Sequence, residues 1–133
     1  IIAMNTILAI ALGGAAGALG RYGVSRLFTD LVHASIQPVA TLAVNVIGCG
    51  IMGVCFGLML AGAFHLGDAG RGFLLIGFLG ALTTFSSFSL DAFRLMEQGG
   101  YGLAFIYVAG SVILSLAAFF AGASLIRLML GGN

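Results

Sequence analysis

Charge is what this chain of 133 residues has least of: 7% of its positions are Asp, Glu, Lys or Arg, against about a quarter in a soluble domain. So few charges cannot cover a water-facing surface, which excludes a soluble domain and implies an integral membrane protein. Lysine is absent altogether, and the cations are five arginines. Strict alternation of apolar and polar residues is absent too, which excludes the ~10-residue strands of a membrane barrel. Only two cysteines are present, Cys49 and Cys55. Six positions apart on a helix they point to different faces, so they read as small packing residues and not as a disulfide or metal pair. No nucleophile–base pair, metal cluster or phosphate-binding loop is visible, so nothing supports an enzyme. His33 and His65 fall in the connections flanking the second apolar stretch and read as exposed loop residues with no assigned role.

What the chain does have is apolar length, with 61% hydrophobic residues. Four stretches reach the roughly 20 residues that a spanning helix needs. They run over Met4 to Phe28, Val39 to Phe64, Gly72 to Phe93 and Tyr101 to Leu130. The first lacks a basic segment ahead of it and a small-residue cleavage site, so it reads as a span and not a secretory signal, with Met4 as the expected start. The expected fold is all-α, one domain over residues 1–133 with four transmembrane helices.

The arginines predict an unusual topology. With four spans, Arg71 and Arg127 fall on one side and Arg26 and Arg94 on the other, with Arg21 inside the first span. Orientation is set by an excess of cations on one side, and here the count is nearly even. The chain is therefore expected to insert both ways up, which allows an antiparallel homodimer. Glycine supplies 22 residues. The spacings Gly13, Gly17, Gly20 and Gly53, Gly57 read as small-residue contacts supporting such an oligomer.

Polar groups inside hydrocarbon cost several kcal/mol unless partnered, so they are the informative residues. Span two carries Thr41 and Asn45; the amide reads either as glue between helices or as a donor in a pathway. Span four carries Tyr107, Ser111 and Ser115 four residues apart, a one-sided stripe that either lines a track or packs. Arg21 either snorkels to the interface or faces protein or water. Asp91, Arg94 and Glu97 lie at spacings of three along the end of span three. Arg94 and Glu97 read as a solvated helix end, and Asp91 lies closer to the apolar region. Span three itself contains GALTTFSSFSLD, residues 80 to 91, with five hydroxyl side chains in seven positions and two phenylalanines among them. Gly80 adds flexibility, and Ser and Thr compete for backbone hydrogen bonds, so a break in the third span is expected near residues 80 to 84. Carbonyls freed by such a break can hold a cation and freed N–H groups an anion. Phe85 and Phe88 share one face of the helix that follows, where core or lipid-facing roles are equally open to each.

These stretches carry a resemblance. GFLGALTTFSSFSLD (Gly77 to Asp91) resembles the signature GFLGGLTTFSTFSxE of the Fluc (CrcB) fluoride channels. TLAVNVIGCGIMG (Thr41 to Gly53) is similar to that family's second-span motif. GGAAGALGRYGVSR (Gly13 to Arg26) is similar to its glycine-rich first span, and the Tyr-x3-Ser-x3-Ser stripe of span four matches as well. The resemblance covers essentially the whole chain. It implies an antiparallel dual-topology homodimer with two pores that conduct fluoride passively across a bacterial inner membrane. It implies pore roles for Asn45, Phe85 and Phe88, with a polar track of Tyr107, Ser111 and Ser115 and with Thr41 and Ser87 nearby. It places Arg21 and Asp91 at the vestibule, and the backbone carbonyls of Gly80 and Thr83 around a structural sodium ion (Na+) on the dimer axis. Three positions depart from the signature: Ala81 stands for Gly, Ser87 for Thr and Asp91 for Glu.

Two other classes compete. A small multidrug-type proton antiporter needs a membrane-embedded carboxylate, and spans one, two and four contain no Asp or Glu. A non-transporting scaffold subunit would leave the Thr41, Asn45 and Ser111 stripes as helix glue. The antiparallel expectation is testable. Lysines added to one connection should fix a single orientation, read by accessibility of a terminal tag, and should lower transport. Full transport from one fixed orientation would contradict it.

Overall fold

The computed structural model describes residues 3–31 and 37–130, and His33 lies outside them. Among the described residues the chain is all helical, with no strand. Helix α1 spans Met4–Leu31 and α2 spans Gln37–Leu60. Helix α3 covers residues 68–82, α4 spans Phe85–Glu97 and α5 spans Tyr101–Leu130. Helices α1, α2 and α5, and the α3–α4 segment as a unit, are each long and apolar enough to cross a membrane. The third span begins four residues before the apolar run suggests, because Asp68 and Arg71 make a polar first turn.

The middle of α3, Gly72–Leu79, is wound as a π-helix. Its wider turn shows at Gly80, whose N–H reaches back five residues to the Leu75 carbonyl. Local propensity does not predict this, since π-turns arise where packing rewards an extra residue per turn. Here the rewarded contact is with α1. Gly13 and Gly17 of α1 sit directly against the Phe73 and Phe78 carbonyls, and Gly77 of α3 meets the Ile10 carbonyl and the Gly13 Cα. A second pair is built in the same way: Gly53 and Gly57 of α2 lie against Phe119 and Ala123 of α5, and Gly122 of α5 against Gly50.

This corrects one sequence expectation. Gly13, Gly17, Gly53 and Gly57 do sit at close helix contacts, but those contacts lie within the chain. Their spacing is therefore no evidence for an oligomer. The two glycine-zipped pairs join through a cluster of Val44, Leu79 and Leu82, and through Phe88, Ala92 and Tyr107.

Two short connections depend on glycine conformation. Gly62 and Gly99 have φ of 69° and 78°, a left-handed geometry that costs other residues energy. Each closes a helix end: Ala63 N–H bonds the Leu58 carbonyl, and Gly100 N–H the Leu95 carbonyl. These six-to-one bonds satisfy carbonyls that a helix end otherwise leaves open. His65 lies exposed in the first of these connections.

The packing yields a contrast between two glycines. A Cβ at Gly53 would meet the Phe119 backbone, whereas one at Gly14 would meet nothing within 4 Å. Gly53→Ala is expected to destabilise by about 1–3 kcal/mol, as overpacking does, and Gly14→Ala to cause no loss. Thermal unfolding in detergent checks this, and equal midpoints would contradict the helix pairing.

Candidate functional site

The site is organised around two residues. Thr83 (φ −80°, ψ 152°) and Thr84 (φ −152°, ψ 125°) have extended backbone between α3 and α4. Extended residues inside a span leave peptide groups without helical partners, and hydrocarbon offers none. Side chains from elsewhere supply them. The Asn45 amide of α2 clamps Thr84: its Oδ1 accepts from the Thr84 N–H at 2.8 Å, and its Nδ2 donates to the Thr84 carbonyl at 3.0 Å. Arg21 of α1 donates from Nε to the Ala81 carbonyl at 3.1 Å and from a terminal nitrogen to Ser87 Oγ at 3.3 Å. The guanidinium is therefore turned into the bundle, which decides against snorkelling.

Local chemistry completes the junction. Thr84 caps α4, its Oγ1 accepting from the Ser87 N–H at 3.1 Å, as N-cap threonines do. Thr83 Oγ1 donates to the Leu79 carbonyl at 2.9 Å, closing α3, and its methyl lies over Gly48 of α2. One consequence concerns the Gly80 and Thr83 carbonyls. In a continuous helix they would accept from Thr84 N–H and Ser87 N–H. Those two donors are turned to Asn45 Oδ1 and Thr84 Oγ1 instead.

Beside the junction lies a cavity of about 420 Å³ whose wall includes Asn45, Gly80, Thr83, Phe85, Phe88, Ser111 and Ser115. Most of the sequence-expected site residues are thus brought together here. Phe85 and Phe88 stack obliquely at 5.1 Å between ring centroids, and Phe88 meets the Tyr107 ring at 5.5 Å. Phe88 is buried at 7% exposure while Phe85 is 77% exposed, so the cavity stands open on the Phe85 side. Among the described residues the Tyr107 and Ser111 hydroxyls are buried without a well-formed hydrogen bond, and the Tyr107 hydroxyl faces Ser111, Thr41 and Asp91.

Thr41, Ser87, Arg21 and Asp91 gather separately, in a smaller polar hollow of about 120 Å³ that also touches Arg94. Asp91 is buried, and Thr41 Oγ1 donates to its carboxylate at 2.6 Å. The Arg94 guanidinium lies 4.0 Å from Asp91, a loose pair at an exposed rim. Among the described residues no group of three or more His, Cys, Asp or Glu side chains is placed to hold a metal ion.

Sequence reading passed over two residues here. Thr84 is the centre of the network, and its residue type suits a helix N-cap without setting it apart from neighbouring Thr83. Cys49 also lies on the large cavity's wall. Its position one turn beyond Asn45 is a signal that the two-cysteine reading did not use. Both cysteines are free thiols.

Comparison with known proteins bears on this geometry. The family model described as CrcB-like protein, Camphor Resistance (CrcB), matches residues 8–123. A relative from Paracoccus denitrificans, named fluoride-specific ion channel FluC, is 47% identical over 119 residues, covering 89% of this chain and 91% of its own. One of the same name from Stutzerimonas stutzeri is 46% identical, covering 90% and 95%. A third, from Rhodospirillum centenum, is 47% identical, covering 93% and 97%.

The Asn45 clamp gives a prediction. Asn45→Ala strips partners from two peptide groups of Thr84 at about 1–3 kcal/mol each. The variant should unfold at markedly lower temperature or denaturant than the parent. Asn45→Asp keeps the acceptor for the Thr84 N–H and should fall between the two. An unchanged midpoint for Asn45→Ala would show that the clamp carries little stability.

Proposed function

This chain belongs to the CrcB family, and from that premise we propose how its residues carry the family's ion. It is a fluoride channel and not an enzyme, set in a bacterial membrane by four spanning helices. The observation that carries the reading is the pair of buried hydroxyls, Tyr107 and Ser111, which face one another without a well-formed hydrogen bond near the Phe85–Phe88 aromatic pair. Fluoride is small and strongly hydrated, so a pathway has to replace its water with donors. Hydroxyl groups donate, and those of Tyr107 and Ser111 are held by no well-formed hydrogen bond among the described residues, with Ser115 one turn further along the wall. Phenyl rings carry positive charge at their edges, which attracts an anion without holding it so firmly that it cannot leave. Cationic Arg21, in the smaller hollow with Thr41, Ser87 and Asp91, raises the local anion concentration at a mouth. The proton-antiporter alternative is not favoured. The buried carboxylate, Asp91, accepts from Thr41 and sits outside the large cavity.

The finer arrangement is part of the proposal. The third span is broken mid-membrane at Thr83 and Thr84. Two copies pair antiparallel and close the cavity on the side where Phe85 is exposed, giving two pores that let fluoride leave the cell passively through the inner membrane. The near-even arginine count supports insertion in both orientations. The Gly80 and Thr83 carbonyls, relieved of their helical donors, are hard oxygen ligands suited to a sodium ion. Such an ion on the dimer axis would neutralise their partial charges.

Efflux from liposomes containing the purified protein tests the function. Fluoride should leave without proton coupling, and chloride flux should be negligible. Phe88→Ile should slow fluoride by about tenfold or more, what losing roughly 1.4 kcal/mol does to a rate. Replacing sodium by a large organic cation should lower stability or flux. Proton-coupled exchange of a cationic drug, with no fluoride flux, would overturn the reading.

A further inference from the structure

A second cavity lies away from the pathway, between the C-terminal ends of α2 and α5. It has a volume of about 410 Å³, and its wall includes Phe56, Leu60, Phe119, Phe120, Ser124 and Arg127. Polarity changes along its length. Phe56 and Phe119, 6.1 Å apart between ring centroids, lie about one and three turns inside their helix ends. Ser124 and Arg127 lie at the outer end of α5, one turn apart on the same face. From Phe119 to Arg127 the helix rises about 12 Å. The groove is therefore apolar in its depth and cationic at its mouth.

Arg127 forms no ion pair among the described residues, where the salt bridges are Arg26–Asp30 and Arg94–Asp91. An arginine near the end of a span sits at the headgroup level. There its guanidinium can fork onto phosphate oxygens, and Ser124 can add a hydroxyl donor. An acyl chain running inward would cover the rings of Phe56 and Phe119. A free phosphate would satisfy only the mouth, and a neutral lipid only the depth.

We propose that this groove is a binding site for an anionic phospholipid, with its phosphate on Arg127 and Ser124 and one acyl chain along Phe56, Leu60 and Phe119. The site lies outside the proposed pore, so lipid selectivity and fluoride conduction are separable properties.

Native mass spectrometry of the purified protein, with dioleoylphosphatidylglycerol and dioleoylphosphatidylcholine added in equal amounts, tests this. The parent should retain the anionic lipid preferentially. Arg127→Gln should reduce that preference about tenfold, the size of one lost hydrogen bond to a charged group. Arg127→Lys should keep most of it. Arg71→Gln removes an arginine that does not line the groove and should leave the preference unchanged. The proposal is overturned if the parent holds both lipids equally or if Arg127→Gln keeps the preference. Loss of the preference in Arg71→Gln to the same extent would also overturn it, by reducing the effect to net charge. So would equal competition by inorganic phosphate alone. Protection of the groove that follows protein concentration and not lipid would make it a face between copies, and would overturn the proposal as well.

Discussion

The junction between α3 and α4 is arranged around one hydrogen-bonded pair, the Asn45 amide on the Thr84 peptide. A membrane span cannot straighten for two residues without exposing peptide groups that lipid will not solvate. The amide is the side chain best matched to that need, since it offers an acceptor and a donor at the spacing of a peptide's own N–H and C=O. Arg21 performs the same service for the Ala81 carbonyl from the opposite side. Its charge is tolerated at that depth because it is spent on a carbonyl and a hydroxyl in place of water. The junction is thus held between α1 and α2, and α4 starts from a fixed point. The aim of Phe85 and Phe88 follows from that fixed point.

Close helix approach is the second constraint, and it explains why glycine is so abundant. Lipid tails are as apolar as leucine, so helices associate here through contact quality and not through hydrophobic exclusion. Gly13, Gly17 and Gly77 bring α1 and α3 backbone to backbone, and Gly53, Gly57 and Gly122 do so for α2 and α5. The π-helical stretch of α3 belongs to this contact, since its wider winding sets Gly77 opposite Gly13. A further glycine, Gly48 of α2, lies under the Thr83 methyl, so α2 comes near enough to the junction for a side chain as short as Asn45 to reach Thr84. Glycine packing and the junction are therefore parts of one mechanism.

Much of this was legible in the sequence, and the remainder divides along a physical line. Apolar length marks four spans, because hydrophobic thickness imposes it on each helix separately. The hydroxyl-rich run over residues 80 to 91 marks a region of poor helix formers. Nothing local singles out Thr84 within it, since its partner Asn45 lies 39 residues away. The glycine spacing shows that close contacts exist but not with what, and the contacts prove to be internal. The π-turn leaves no trace in GFLLIGFL, because neighbouring α1 dictates the winding. The stripe of Tyr107, Ser111 and Ser115 was visible as a stripe. That two of its hydroxyls lack partners is a property of the assembled core.

That last distinction sorts the polar residues by task. Asn45, Thr84, Ser87 and Arg21 are each hydrogen-bonded to one another or to backbone. They are braces, and removing one leaves another part-buried group without its partner. The Asn45 amide still has one N–H beyond the clamp, so its share in any ion pathway is limited to that single donor. Tyr107 and Ser111 are the reverse case. Burial of an unpartnered hydroxyl is costly, and a fold that keeps two of them beside an aromatic pair keeps donors in reserve. In the proposed pathway a passing anion would be the partner that recovers this cost transiently. On the proposed reading, the hydroxyl stripe, and not the more heavily bonded junction, is the stretch that can offer donors to the ion.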